Sequence, residues 1–182
     1  MLKCCENPPI LSPSTGSLAE FAGDWWVAYT RARNEKALAW DLLSHNIAYF
    51  LPLVERLRFS GGRRRRVLLA LFPSYVFLCG DAADRHAAMA TNRVCQTIRV
   101  GDRPSFVREL QSIECALNRG AMLDLCTQPA VGARCRVAAG PLHGLEGVVI
   151  RRAKTARLVL QVSFIGQGAV VEIDADLLEL VD

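Results

Sequence analysis

The hydrophobic and polar positions of this chain change period several times, and each change predicts an element. From Asp24, WWVAYTRA alternates, with Trp25, Val27 and Tyr29 pointing one way and Trp26 and Ala28 the other, which predicts a strand. NEKALAWDLLSHN follows with helical spacing: Asn34 stands at the N-cap, and Leu38, Leu42 and Leu43 form the apolar face. AYFLPLVERLRF returns to an extended pattern, and Pro52 within it favours an edge strand or a bend. SGGRRRR reads as a turn with a basic shoulder, and VLLALFPSYVFLC as further strand with Pro73 at a bulge or edge. DRHAAMATN predicts a short helix and CQTIRVG a strand. FVRELQSIECALNRG predicts a second long helix, with Val107, Leu110, Ile113 and Leu117 on its apolar side.

Mixed strands and helices over residues 24–120 predict an α/β or α+β sandwich. The period fades over 121–130, where Thr127, Gln128 and Pro129 predict a linker. Residues 131–182 then read as GARCRVAAG, GVVIRRA, ARLVLQVSFI and AVVEIDADLLELV, short β runs separated by glycine-rich turns. That is the pattern of a small SH3-like β-barrel. The class is α+β with two domains, preceded by a leader over 1–23 that its Pro, Ser, Gly and Asn content marks as flexible.

Composition narrows the choice of chemistry. A hydrophobic fraction of 51% and a charged fraction of 22% suit a globular protein with a real core. The net charge is +4, carried almost entirely by arginine, since lysine occurs only at Lys3, Lys36 and Lys154. Arginine suits bidentate contact with phosphate or carboxylate. The seven cysteines form no CxxC pair and no Cys/His ligand spacing, so reduced, mostly buried thiols are expected in a cytoplasmic protein, with no metal site. The longest apolar run, Val67 to Cys79, contains Pro73 and falls short of the ~20 residues that cross a bilayer, so no membrane association is expected. His45, His86 and His143 are isolated, and no HExxH, GxSxG, P-loop or GxGxxG is present; neither catalysis nor a cofactor is expected.

Two stretches carry the more specific signal. VGARCRVAAGPLHGLEGVVIRR sets glycines at 132, 140, 144 and 147 between two strand patterns. Gly140-Pro141 makes a turn, and Gly144 and Gly147 let the backbone bend tightly before the next strand. This spacing resembles the KOW motif, and the following VSFIGQGAVVEIDADLLELV resembles the closing strands of the NusG carboxy-terminal barrel. Upstream, WWVAYTRARNEKALAWDLLSHN, FLPLVERLRFSGGRRRRVLLALFPSYVFL and NRVCQTIRVGDRPSFV resemble, in order, the amino-terminal (NGN) domain of the NusG family. TRARNEK, FLPLVERLR and LFPSYVFL are closer in character to the specialised RfaH-like and UpxY-like antiterminators than to the housekeeping factor.

The aromatic run LFPSYVFL has two readings: a buried strand, or an exposed apolar depression. The resemblance implies the second, with Val27, Tyr29, Phe72, Pro73, Tyr75 and Phe77 gripping the paired clamp helices of RNA polymerase. It further implies that Arg31, Arg33, Asn92 and Arg93 face upstream or non-template DNA. Arg63 and Arg64 are either a solvated hairpin shoulder or added phosphate contacts. Phe164 and Ile165 are either barrel core or the positions that meet a small-subunit ribosomal protein or Rho. Where RfaH carries a His-Thr-Thr-Thr element this chain reads Asp84-Arg85-His86-Ala87, which lacks the threonines of that second polymerase contact. The expected protein is a monomeric, operon-specific antitermination factor. The alternatives are a housekeeping elongation and termination factor, or a KOW-type RNA- or ribosome-binding module with no polymerase role.

Overall fold

The computed structural model describes residues 7–14, 17–60, 62–127, 132–151 and 155–181, and divides into two compact units, residues 1–103 and 104–182. Cys4 and Cys5, the last three residues of the expected linker (128–130) and Lys154 lie outside the described residues.

The first unit is built on a five-stranded antiparallel sheet. Its strands are β1 (Leu11–Ser12), β2 (Asp24–Thr30), β3 (Ala48–Phe50), β6 (Tyr75–Gly80) and β7 (Val94–Arg99), in the order β1-β3-β6-β2-β7. Between β3 and β6 the chain forms a separate hairpin of β4 (Leu53–Ser60) and β5 (Arg63–Ala70). Two helices, α1 (Glu35–Ser44) and α2 (Ala82–Ala90), complete the unit. Alternation along the central strands sorts the side chains. Ala28, Val76, Leu78 and Tyr49 join Leu38, Ala39 and Leu42 of α1 and Ala88 of α2 in one buried cluster. The opposite face carries Trp25, Val27, Phe50 and Phe77. α2 starts on a capping box, in which the Asp81 carboxylate accepts from the Ala83 and Asp84 amides while Asp84 accepts from the Asp81 amide. Asn34 stands at the N-cap of α1 without a side-chain cap bond, because its amide is turned to the Ala32 carbonyl and to Arg93.

The expected flexible leader needs correction from residue 7 onward. β1 pairs with β3, the Leu51 amide donates to the Ile10 carbonyl at 2.7 Å, and Tyr49 Oη donates to the Pro9 carbonyl at 3.0 Å. A short 3-10 turn, Leu18–Glu20, is capped by Ser17 and inserts a fully buried Leu18, a burial that contributes roughly 2 kcal/mol. Phe21 then stacks on Trp25 with ring centroids 5.8 Å apart. Pro, Ser and Gly in this stretch shape turns; its apolar minority holds it to the sheet.

The second unit contains α3 (Arg103–Asn118), whose first residue is the last of the first unit. It also contains six antiparallel strands: β8 (Asp124–Cys126), β9 (Ala133–Val137), β10 (Glu146–Arg151), β11 (Thr155–Val162), β12 (Gln167–Asp174) and β13 (Leu178–Leu180). Their order is β13-β9-β10-β11-β12-β8. α3, grouped by its sequence pattern with the first domain, packs here. Phe106 meets Phe164 edge-on at 5.9 Å, and the Glu109 carboxylate accepts from the Ser163 amide at 3.0 Å and hydroxyl at 2.6 Å. Residues 124–126 of the expected linker are strand, because Leu125 and its neighbours pair with Gly168, Ala169 and Val170 on the sheet edge. Gly140 and Gly144 take φ of +85° and +83° in the expected turn. Gly147 does not bend the chain. It lies inside β10, where a Cβ would stand 2.5 Å from the Val159 carbonyl oxygen.

Candidate docking face

The outer face of the first sheet places Tyr29, Val27 and Trp25 of β2 opposite Tyr75, Phe77 and Cys79 of β6. On the other side, β7 sets Gln96 opposite Tyr29 and Ile98 opposite Val27. Exposure falls steeply along these rows. Tyr29 is 44% exposed and Ile98 43%, Tyr75 is half-buried, and Val27, Phe77 and Trp25 are closed to solvent. The Tyr29 and Tyr75 rings lie 5.4 Å apart at a 60° tilt, a spacing at which aromatic pairs attract. Tyr29, Tyr75 and Ile98, with the exposed Pro73 at the turn before β6, are therefore an apolar rim around a filled interior.

The expected depression lined by six open residues needs correction. Val27, Phe72 and Phe77 are each no more than 1% exposed. LFPSYVFL is also not one strand. β5 ends at Ala70, the chain turns through Leu71–Ser74, and β6 begins at Tyr75. The turn is held by the Tyr75 amide on the Phe72 carbonyl (3.2 Å), by Ser74 at φ +66°, and by the Ser74 amide on Glu35 Oε1 (2.7 Å). Reversal there brings Phe72 onto Phe77 at 6.0 Å, while Phe50 stacks on Phe77 at 6.3 Å. The three phenyl rings are a floor on which the tyrosines stand.

The basic residues divide in the same way. Backbone pairing of Arg31 N with Arg93 O (2.9 Å) brings the β2–α1 loop and the α2–β7 loop side by side, with Arg31, Arg33 and Asn92 exposed. Arg33 and Asn92 both take left-handed backbone, φ +62° and +58°, so the two loops turn sharply outward. Arg93 is engaged otherwise. Its guanidinium bonds the Asp41 carboxylate and donates to Asn34 Oδ1 at 3.3 Å, tying both loops to α1. Asp84 is bound in its capping box. Arg85 donates to Thr97 Oγ1 at 2.8 Å and lies over the Trp26 ring at 5.2 Å. Arg63 and Arg64, expected in a turn, are strand residues of β5 and exposed. In the second unit Phe164 is 38% exposed with one edge against Phe106, and Ile165 is half-buried.

Titratable groups add little to this face. Burial pushes the Cys79 thiol up to about 11, which leaves it a poor nucleophile at neutral pH. Of the five described cysteines, Cys79 and Cys135 are buried, Cys95 is exposed and the other two are half-buried, so the expected burial of cysteines holds only in part. Among the described residues no group of three or more His, Cys, Asp or Glu is placed to hold a metal, and no helix is long and apolar enough to cross a membrane. Two functional candidates escaped the sequence reading. Ile98 joins the rim through β7 pairing, which its strand pattern alone does not reveal. Phe59, 71% exposed, was masked by the hydrophobic period of its strand.

Comparison with known proteins gives three findings. The family model described as transcription termination factor nusG matches residues 23–114, a span that holds β2, β3, β6, β7 and both flanking helices. A solved structure titled "Domain interaction in Thermotoga maritima NusG" is similar at 17% identity and a TM-score of 0.46, over 87% of this chain and 97% of that one. No curated protein sequence matches the chain.

Proposed function

The chain belongs to the NusG family of transcription factors, and from that premise we propose that it is an operon-specific antitermination factor whose first unit docks on RNA polymerase through the Tyr29–Tyr75 rim. The observation that carries the docking role is this aromatic pair, Tyr29 exposed and Tyr75 half-buried, held at 5.4 Å beside a cluster of buried phenyl rings. Rings already fixed by packing lose little freedom on binding, so a few of them can supply most of the energy of an interface. Pro73 and Ile98 extend the surface, and its helical partner is the paired clamp helices of the polymerase. Val27, Phe72 and Phe77 act beneath it as support.

Arg31, Arg33 and Asn92 reach upstream or non-template DNA from the adjacent loops. Arg93 positions those loops through Asp41. Arg63 and Arg64 add phosphate contacts from the hairpin. Binding that is stronger to the closed polymerase clamp than to its paused state shifts the population away from pausing. The second unit, as a KOW-type barrel, recruits a small-subunit ribosomal protein or Rho through Phe164 and Ile165, a contact made effectively intramolecular once the first unit is seated. The protein works as a cytoplasmic monomer without a cofactor. The specialised role, in place of a housekeeping one, is supported by TRARNEK, FLPLVERLR and LFPSYVFL.

In vitro transcription over a pause site tests this reading. The protein shortens the pause, and Tyr75→Ala removes the effect while Phe164→Ala leaves it intact. An unchanged pause with the parent protein, or a fully active Tyr75→Ala variant, would refute it.

A further inference from the structure

The β4–β5 hairpin holds the charge of this molecule. It carries six arginines and one glutamate, a net +5, whereas the whole chain is +4. Outside the hairpin the protein is therefore slightly acidic. The register sets Arg58 directly opposite Arg65, with Arg63 at the same end opposite Ser60. Like charges directly across a strand pair repel. Among the described residues neither Arg58 nor Arg65 has a carboxylate partner, and the hairpin's only acid, Glu55, lies 3.2 Å from Arg66 on the other face. That other face holds Phe59, 71% exposed, and Leu57, 59% exposed, beside Arg64 and Arg66. The Arg64 guanidinium lies 5.2 Å from the centroid of the Phe59 ring.

Beyond its base, where Leu53, Leu68 and Ala70 pack in the buried cluster, the hairpin is a two-stranded ribbon, and placing matched cations across it lowers its stability. A polyanion along the Arg58–Arg65 face removes the repulsion. An exposed ring flanked by guanidinium groups accepts the π-face of an unpaired base, as aromatic platforms do in single-strand binders. We propose that this hairpin is a binding arm for a single-stranded nucleic acid that crosses its edge, with Arg58 and Arg65 on phosphates at one face and Phe59, steadied by Arg64, stacking on a base at the other. This takes further, and rests on, the phosphate role given above to Arg63 and Arg64; it is independent of polymerase docking.

The test measures binding of the full-length protein to fluorescein-labelled oligothymidylate and oligouridylate, and to a duplex of equal length, across a salt series without polymerase. The expected result is tighter binding to single strands than to the duplex, whichever sugar is preferred. Phe59→Ala weakens single-strand binding about tenfold. Arg58→Gln with Arg65→Gln lowers the log–log salt slope by about 1.4. Because that double change also removes the repulsion, the variant melts no lower than the parent at low salt. Parent-like binding by Phe59→Ala, an unchanged salt slope, or a lower melting point in the double variant overturns the proposal. Equal binding of the duplex would mean backbone contact alone, and equal competition by polyglutamate an acidic protein partner; either overturns it too. Loss of binding in Arg63→Gln with Phe59→Ala unaffected would keep the phosphate role and remove base stacking.

Discussion

Truncating Phe77 separates floor from rim. Its ring is fully buried and lies against Phe72 at 6.0 Å and Phe50 at 6.3 Å. Burial of the side chain contributes about 2–3 kcal/mol, and each ring pair about 0.5–1.5 kcal/mol more. Phe77→Ala should therefore cost about 4 kcal/mol, within the range for truncating a core phenylalanine. In a domain the size of the first unit that lowers Tm by about 20 °C. Tyr75→Ala, by contrast, removes a half-buried side chain with one tilted ring contact and should cost about 1 kcal/mol. The assay is thermal and urea unfolding of both variants, run beside capture of RNA polymerase. The expected pattern is a large loss of stability for Phe77→Ala, and a large loss of capture with a nearly parental melt for Tyr75→Ala. A Phe77→Ala protein that melts within a few degrees of the parent yet fails to capture polymerase would refute the division, since it would mean the ring meets the partner directly.

Two further predictions concern the framework. Gly147→Ala should destabilise the second unit by about 1–3 kcal/mol, because the new methyl meets the Val159 carbonyl oxygen at 2.5 Å inside a paired strand; urea midpoints measure it, and a shift below 0.5 kcal/mol by the same scale would contradict the contact. Burial pushes the Tyr49 hydroxyl up to about 12, so the folded state favours its neutral form. That contribution is complete below the unfolded value near 10 and disappears as pH rises through 12, a loss of about 2–3 kcal/mol. Tyr49→Phe should be about 1 kcal/mol weaker at pH 7, where it leaves the Pro9 carbonyl without its donor, and less sensitive to pH between 10 and 12. Equal alkaline sensitivity in both proteins would show that another group governs the loss.

Much of this architecture is legible in the chain. Alternation in WWVAY gives β2, the spacing of Leu38 and Leu42 gives the buried face of α1, and Pro52 marks the break between β3 and β4. The two families of motifs place NGN-like and KOW-like segments in order, and the family model confirms the first. What escaped was decided by contacts distant in sequence. Alternation says that Val27 and Tyr29 share a face, but the covering of that face makes one core and the other surface. Phe72 joined the interior because Ser74 adopts a left-handed backbone and reverses the chain, which no apolar pattern announces. Arg93 looked like its exposed neighbour Asn92, yet Asp41, 52 residues earlier, claims its guanidinium. The leader appeared flexible by composition, whereas Leu11 pairs with Phe50 at the sheet edge, Leu18 is buried and Phe21 stacks on Trp25.

The most direct measurement is the affinity of the purified protein for core RNA polymerase, parent against the double variant Tyr29→Ala/Tyr75→Ala, with circular dichroism confirming that both are folded. Loss of two interface anchors should raise Kd at least thirtyfold, corresponding to about 2 kcal/mol or more. An unchanged Kd in the folded double variant would show that the tyrosine rim is ordinary surface and that the polymerase is met elsewhere.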